Sequence, residues 1–395
     1  MSTDSHPVGN IPERQPGPIR INRYAFELAW TGIQTFLKLP LCLTPEDLSA
    51  GGVDVAIGGV PWDGTATTRS GTHLGPQAIR SCDHIPSPPY QRPHLHVRVD
   101  PLQHLTVCDY GDAEVIIASP DRTFANVRSF VGEIVGAGAI PIILGGDHGI
   151  TWPAATAVAD AYGHGSIGVV HFDAHADTAP ESQGVLAGHG TPMRRLIESG
   201  AVLGRNFVQV GLRGYWPGPE VVAWMEEQEM KTHFMAEVQR HGFDTVLERA
   251  VDEALSGTAR HLYISVDVDA VDPAHAPGTG SPEPGGLTSA QVLRAVRRLA
   301  AEVGMVAMDV VEVSPPYDVG NNITSLFAHR CVLEGLTGTA MRRIGLTGRD
   351  YLDERAAEGP PAATTGSPAS VPTRSGPAST PLSGGQSPKE AAPDE

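Results

Sequence analysis

The sequence has few cysteines, a deficit of positive charge and no long apolar run. Its four cysteines form no CxxC pair, which favours free thiols in a reducing compartment over a disulfide framework. The 28 Lys and Arg against 45 Asp and Glu give a net charge of −17, which would repel nucleic acid but suits a small cationic substrate. No secretory signal is recognisable at the N-terminus, and the longest apolar stretch, residues 130–144, is interrupted by a glutamate and a proline. We therefore expect a cytoplasmic protein without a membrane span.

The composition divides the 395 residues into three segments. Residues 1–45 form an N-terminal arm, which we expect to pack on the body or on a neighbouring subunit. Residues 46–355 are expected to form a single domain that carries all the candidate functional residues. Residues 356–395 contain no aromatic residue and are dominated by Pro, Ser, Ala and Gly, so they cannot bury enough apolar surface to offset chain entropy and are predicted to be a disordered tail.

Short apolar runs alternate with helix-like segments along the middle of the chain. The strands are predicted at residues 53–61, 139–147, 166–174, 206–214, 261–269 and 304–315. Helices are predicted at 129–138, 191–200, 243–257 and 289–304, the last with Ser289 as N-cap and Gly304 as stop. This alternation predicts an α/β fold with a mainly parallel sheet and helices on both faces. Functional groups should then gather beyond the carboxyl ends of the strands.

The stretch HFDAHADT follows one of the predicted buried strands. In an extended segment side chains alternate, so Asp173, His175 and Asp177 should project from one face, with residues 172, 174 and 176 on the other. Three potential metal ligands would then converge at the carboxyl end of the strand.

Two further polar groups follow predicted strands. Asp267 and Asp269 lie two residues apart in SVDVDAVDP, and such carboxylates repel one another unless a cation lies between them. His148 follows a third strand in ILGGDHGIT. Four carboxylates and two imidazoles without a thiolate suit Mn²⁺ better than a closed structural Zn²⁺ site. Six ligands are too many for one ion and suit a pair, which would lower the pKa of a shared water, so the implied reaction is hydrolysis.

The motifs GGDHGIT, HFDAHADT, GHGTPMRR, SVDVDAVDPAHAPGTGSPEPGGLT and DVVEVSPPYD resemble, in order and spacing, those of the ureohydrolase (arginase and agmatinase) family. The similarity extends from about residue 59 to about residue 345, with an agmatinase-like segment TFLKLP in the arm. The resemblance implies a three-layer α/β/α fold, a centre of two Mn²⁺ ions and hydrolysis of a guanidino group to urea and an amine. It also implies a homo-oligomer, either a trimer or a hexamer.

The resemblance assigns roles to individual residues. The implied metal ligands, among which Asp173 and Asp267 would bridge the two ions, are His148, Asp173, His175, Asp177, Asp267 and Asp269. His189 matches a histidine that delivers a proton to the leaving amine. Glu312 matches a glutamate that accepts hydrogen bonds from the substrate guanidinium, and a glutamate on an otherwise apolar strand is costly unless it is paired.

Three positions depart from the family pattern without touching an expected ligand: Gly149 replaces the usual serine, RSG (69–71) replaces Arg-Pro-Gly, and TATT (65–68) replaces a glycine-rich piece. The expected substrate is agmatine, with Glu181 as a candidate partner for its ammonium group. The alternative is another small guanidino compound, such as guanidinobutyrate, guanidinopropionate or free guanidine, with Ni²⁺ in place of Mn²⁺. A non-catalytic partner subunit and a zinc deacetylase on the same fold are less favoured, because all the expected ligands of both ions are present.

Overall fold

The computed structural model describes residues 14–25, 27–85, 92–318 and 322–348. Within them, eight strands form one sheet in the order β2-β1-β3-β8-β7-β4-β5-β6, and every neighbouring pair is parallel. The strands are β1 (Val55–Val60), β2 (Val107–Asp112), β3 (Ile140–Gly145), β4 (Ile167–Phe172), β5 (Val202–Val210), β6 (Lys231–His233), β7 (His261–Asp267) and β8 (Met305–Val311). The four central strands are β3, β8, β7 and β4, so their carboxyl ends meet in the middle of one sheet edge.

Helices cover both faces of the sheet and complete the predicted three-layer α/β/α fold. They are α1 (Pro45–Gly51), α2 (Gly75–Ser81), α3 (Pro120–Gly136), α4 (Thr151–Tyr162), α5 (Pro192–Glu198), α6 (Pro219–Glu227), α7 (Met235–His241), α8 (Phe243–Ala254), α9 (Ser289–Arg298) and α10 (Ile323–Arg343). Two hydrophobic clusters lie on opposite faces, one joining α8, α9 and α10 to the sheet and the other joining α3, α4 and α5 to it. Burial on both faces explains why the strands read as continuous apolar runs.

The predicted N-cap of α9 was wrong by one residue. Its N-cap is Thr288, whose side chain accepts the N–H of Gln291 while the Gln291 side chain accepts the Thr288 N–H. This reciprocal capping box requires Gln or Glu three residues after the cap, which Ser289 lacks. The predicted stop is correct, because a π turn at Leu299–Val303 ends at Gly304, where φ is 89°.

Two strands and six of the described helices, including the longest, were missed in the sequence. Strand β6 has only three residues and all of them are polar, so it carries no alternation to detect. Strand β2 contains two aspartates and a glycine. Helix α10 is buried around most of its circumference, so its apolar residues form no single stripe.

The described part of the N-terminal arm lies against the sheet edge. Ile19 pairs with Leu41, and Leu41 continues into a bridge to Asp109 on β2. Phe36 and Leu37 are buried in the main core, where the Phe36 N–H donates to the Asp109 carboxylate at 2.7 Å. The predicted tail, residues 356–395, lies outside the described residues. None of the described helices has the length and apolarity needed to cross a bilayer.

The buried Arg80 on α2 joins the arm to the edge of the sheet. Its Nε and Nη2 donate to the two oxygens of Asp109 at 2.8 and 2.9 Å, and its Nη1 donates to Asp112 at 2.6 Å. These bonds satisfy a carboxylate that also holds the Phe36 N–H. The guanidinium is therefore the central cation of a buried network.

We predict that Arg80→Ala lowers the free energy of unfolding by about 3–5 kcal/mol, because it leaves a buried carboxylate without its cation. Urea denaturation measures this loss. The matched control is Arg343→Ala, which removes a half-exposed ion pair with Asp54 and should cost less than about 1 kcal/mol. Equal losses in the two variants would contradict the network's role.

Candidate metal centre and active site

The six predicted ligands lie together at the carboxyl ends of the central strands. His148 begins a short 3₁₀ turn after β3, and the segment 173–177 follows β4. Asp267 is the last residue of β7, and Asp269 lies in the 3₁₀ turn that follows. The sheet order brings these ends together although the ligands are spread over residues 148 to 269 of the chain.

The first ligand cluster surrounds Nδ1 of His148. The distances from this nitrogen to Oδ2 of Asp173, Asp177 and Asp267 are 3.2, 3.1 and 3.0 Å. Although both are buried, His148 Nδ1 and Asp173 Oδ2 have no aligned hydrogen-bond partner. Three carboxylate oxygens thus surround one imidazole nitrogen, and this nitrogen and one of the oxygens have no hydrogen-bond partner among the described residues. Buried ligand atoms without hydrogen-bond partners are expected where a metal ion binds.

The second cluster surrounds Nδ1 of His175. This nitrogen lies 3.1 Å from Asp269 Oδ2 and 3.5 Å from Asp173 Oδ1. The two oxygens of Asp173 therefore face different clusters, Oδ1 towards His175 and Oδ2 towards His148. This is the arrangement that a bridging carboxylate requires.

The route by which the residues after β4 converge differs from the expected one. The strand ends at Phe172, so the segment 173–177 is not extended and simple alternation does not apply. Instead, the Asp173 carboxylate accepts the His175 N–H at 2.6 Å, and Asp177 has a φ of 52° in the left-handed region. The side chains still meet, but a turn rather than a continued strand aims them.

The electrostatics of the two clusters favour a divalent cation. Burial, Asp269 and Asp173 raise the pKa of Asp267 well above its usual range. Burial would lower the pKa of His175, but Asp269 and Asp173 outweigh it and raise this pKa to about 12. In the described residues, the ion pairs of the four aspartates are all with histidines. So much buried negative charge is costly, and the donor set fits divalent ions that would neutralise it.

A buried hydrogen-bond network orients His148. Its Nε2 lies 3.0 Å from Ser265 Oγ, which donates its own proton to Asp309 Oδ1 at 2.7 Å. The serine therefore accepts from His148 Nε2–H and leaves Nδ1 free to act as a ligand. Tyr263 and Thr151 donate to the other oxygen of Asp309 at 2.6 and 2.8 Å. Sequence reasoning missed this network, although an aspartate within the apolar strand β8 was a signal.

His189 and Glu312 contact one another beside the clusters. Glu312 Oε1 accepts the His148 backbone N–H at 2.9 Å and a hydrogen bond from His189 Nδ1 at 3.0 Å. Burial would raise the pKa of Glu312, but His189 outweighs it and the pKa is lowered, so the group is a carboxylate at neutral pH. Burial would lower the pKa of His189, but Glu312 raises it to about 9. Opposing this, the Thr67 backbone N–H lies 3.2 Å from His189 Nε2 and favours the neutral ring.

A cavity of about 340 Å³ opens onto this group. His189 and Glu312, the two candidate catalytic residues outside the metal clusters, line this cavity. Glu181 also lines the cavity and is exposed. Trp216 forms another part of the wall, with its ring centroid 6.4 Å from that of His175. Sequence reasoning missed Trp216, because its loop follows β5 and lies outside the motifs that carry the family resemblance.

Two of the departures from the family pattern depend on one another. A Cβ atom at Gly149 would lie 2.6 Å from Thr65 Oγ1 and 2.9 Å from Asp147 Oδ1. Thr65 donates through both its backbone N–H and its hydroxyl to Asp147 at 2.9 and 2.7 Å. The threonine of TATT thus occupies the space that a side chain at position 149 would need. The third departure lies near Ser314, since a Cβ at Gly71 would be 2.6 Å from its Oγ.

The fold and the site define a metal-dependent α/β hydrolase, and comparison with known proteins identifies its family. Residues 53–337 match the Arginase family, and the chain belongs to it. It is 36% identical over 310 residues to the guanidinopropionase of Pseudomonas aeruginosa, covering 77% of this chain and 92% of the relative. It is also 36% identical over 312 residues to the mitochondrial agmatinase of Gallus gallus, covering 77% and 87%.

The fold is likewise that of a solved family member. The structure of proclavaminate amidino hydrolase from Streptomyces clavuligerus matches with a TM-score of 0.70 at 33% identity, covering 80% of this chain and all of that one. The chain is therefore an amidinohydrolase that acts on C–N bonds of guanidino compounds, as the sequence motifs predicted.

We predict that Asp267→Ala loses bound metal and activity together, because its carboxylate faces the first cluster and borders the second. His189→Ala, which alters the same cavity without removing a predicted ligand, should retain metal and lose turnover. Elemental analysis of dialysed protein and a urea assay measure the two properties. Metal retained by Asp267→Ala at the wild-type level would contradict the ligand assignment.

Proposed function

We propose that this chain is a binuclear manganese amidinohydrolase that cleaves agmatine into putrescine and urea. The observation that carries the proposal is the placement of two His and Asp clusters and Glu312 along one cavity. Carboxylate-rich sites suit Mn²⁺, whereas the two imidazoles leave Ni²⁺ as the alternative metal.

The proposed ligands divide between two ions. One ion would be held by His148 Nδ1 and the carboxylates of Asp173, Asp177 and Asp267. The other would be held by His175 Nδ1 and Asp269, with Asp173 and Asp267 shared between the two. When bound, such a pair of ions lowers the pKa of a shared water and supplies a hydroxide nucleophile near neutral pH.

Glu312 and His189, which are hydrogen-bonded to one another, are proposed to have different roles: Glu312 binds the guanidinium and His189 delivers a proton. The hydrogen bonds from described residues to Glu312 all fall on Oε1, so Oε2 is left to accept the N–H groups of the guanidinium. His189 is proposed to donate a proton to the departing nitrogen, because an amine leaves poorly unless it is protonated. The Thr67 hydroxyl, 2.8 Å from His189 Nε2, can donate to the neutral ring or accept from the protonated one.

The character of the cavity favours agmatine. No Lys or Arg occurs among the described residues that line it, so it offers no cation for a substrate carboxylate. Glu181 and Ser182 provide an acidic and polar wall, and Trp216 provides an aromatic one. A cationic amine fits both, through charge pairing and through attraction to the aromatic face.

The alternative is another guanidino compound, namely guanidinobutyrate, guanidinopropionate or free guanidine. It is supported by the equal identity of the chain to a guanidinopropionase and an agmatinase. The departures from the family pattern at Thr65 and Gly149 also lie beside His189. The backbone N–H of His189 donates to the carbonyl oxygen of Thr65 at 3.2 Å.

We also propose that the protein acts as a cytoplasmic homo-oligomer. The support is an exposed apolar surface on the N-terminal arm, where Tyr24, Trp30 and Ile33 are each more than half exposed. Such residues commonly mark contacts between protein surfaces.

We predict that the purified protein loaded with Mn²⁺ releases urea from agmatine faster than from arginine, guanidinobutyrate, guanidinopropionate or guanidine. The same panel repeated with Ni²⁺ tests the alternative metal. Glu312→Gln is the matched control for the chemistry, since it keeps the shape of the side chain but removes the charge that binds the guanidinium. No urea from any of the five compounds would contradict the proposed activity.

We predict that Glu181→Gln raises KM for agmatine about fivefold to tenfold and leaves KM for guanidine unchanged, because guanidine has no second charged end. Initial rates over a range of substrate concentrations measure both constants. Ser182→Ala, on the neighbouring part of the wall, is the uncharged control. An equal rise for both substrates would argue against an ammonium site at Glu181.

A further inference from the structure

A row of polar residues, all buried except the half-buried Thr232, crosses the sheet one step below the proposed ligands. Five strands contribute to it at paired positions, and its members are Thr232 (β6), Gln209 (β5), His171 (β4), Ser265 (β7) and Asp309 (β8). His171 precedes Asp173 by two residues, and Ser265 precedes Asp267 by two. Polar groups inside a parallel sheet are costly unless they are hydrogen-bonded, so each member of the row calls for a partner.

The orientation of Gln209 is fixed by its neighbours. Its Nε2 lies 2.8 Å from the carbonyl oxygen of Ala176, which can only accept, so this atom is the amide nitrogen. Thr232 donates its hydroxyl to Gln209 Oε1 at 3.3 Å on the other side. The second amide proton of Gln209 is then available to His171 Nδ1, which lies 3.3 Å away.

This orientation determines which nitrogen of His171 carries the proton. Because Gln209 donates to Nδ1, that nitrogen must be an acceptor, and the neutral ring then carries its proton on Nε2. His171 Nε2 lies 2.8 Å from Asp173 Oδ2, a separation within hydrogen-bond range, and neither of these buried atoms has an aligned hydrogen-bond partner in the described part of the chain. A protonated Nε2 cannot coordinate a metal ion, but it can donate to a carboxylate.

We propose that His171 is a positioning residue of the metal centre: held by Gln209, it donates from Nε2 to Asp173 Oδ2 and sets the direction of the bridging carboxylate. The inference rests on the proposed binuclear centre, in which Asp173 is a ligand. Two ligands of the first cluster would then be oriented by buried polar residues: Asp173 by His171, and His148 by Ser265 and Asp309.

The competing role for His171 is direct coordination. Its ring nitrogen, His148 and Asp173 lie close enough to hold one ion, with all three ligand atoms within 4.8 Å of one another. The Gln209 contact favours the donor role, because a coordinating Nε2 would place its proton on Nδ1, facing the amide protons of Gln209. A third possibility is that the ring only fills space beside Phe207, which it contacts at a centroid distance of 5.5 Å.

The test compares His171→Phe with His171→Gln by Mn²⁺ titration followed by electron paramagnetic resonance, and by metal retention during dialysis against a chelator. Phenylalanine fills the space without a donor, and we expect it to weaken Mn²⁺ binding about 10- to 100-fold. Glutamine places an amide N–H near the position of Nε2 and should restore most of the affinity. Equal loss in both variants would indicate direct coordination and overturn the donor role, and wild-type affinity in His171→Phe would indicate packing alone.

A second variant guards against failure of the first to fold. Gln209→Met keeps the length of the side chain but releases His171 Nδ1, so it should weaken Mn²⁺ binding in the same direction and by less. His329→Phe is the control for loss of a fully buried histidine, because His329 stacks on Phe36 and should affect thermal stability without affecting Mn²⁺ affinity. Unchanged affinity in Gln209→Met would overturn the inference. A wild-type chain that binds no divalent ion would instead contradict the binuclear centre on which it rests.

Discussion

The structure is organised around the repulsion among four buried carboxylates at one edge of a parallel sheet. Asp173 and Asp267 each have a carboxylate oxygen close to the same imidazole nitrogen of His148, at 3.2 and 3.0 Å. Such a cluster is unfavourable unless cations neutralise it, because charges in a dry interior interact strongly. The sheet order creates the cluster by placing β3, β8, β7 and β4 side by side. Beneath the cluster, Ser265 and Asp309 orient His148, and above it a cavity opens.

The sequence predicted the fold and the membership of the site better than the way in which the site is built. Strand ends alone were enough to bring His148 and Asp267 together, because parallel strands expose their carboxyl ends at one edge. The alternation argument placed Asp177 correctly for the wrong reason, since a left-handed turn aims it. His171 was missed although it continues the odd-numbered series of polar residues. Asp309 was missed although the argument applied to Glu312, that a buried acid needs a partner, holds for it equally.

The remaining features depend on contacts between distant segments, which a single sequence does not reveal. Gly149 has a physical explanation only when Thr65 is seen to occupy the space beside it. Trp216 reaches the cavity from a loop after β5, about 40 residues beyond the HFDAHADT segment whose histidine it contacts. Two of the departures from the family pattern, Thr65 and Gly149, therefore contact one another, and Thr65 also accepts the backbone N–H of His189.

The most direct measurement of the central claim is urea release from agmatine by metal-depleted protein as Mn²⁺ is added back, with bound metal counted in the same samples. The account predicts no urea from the metal-free chain and a rate that rises until about two ions are bound per chain. Urea release by the metal-free chain, or full activity with one ion bound, would contradict it.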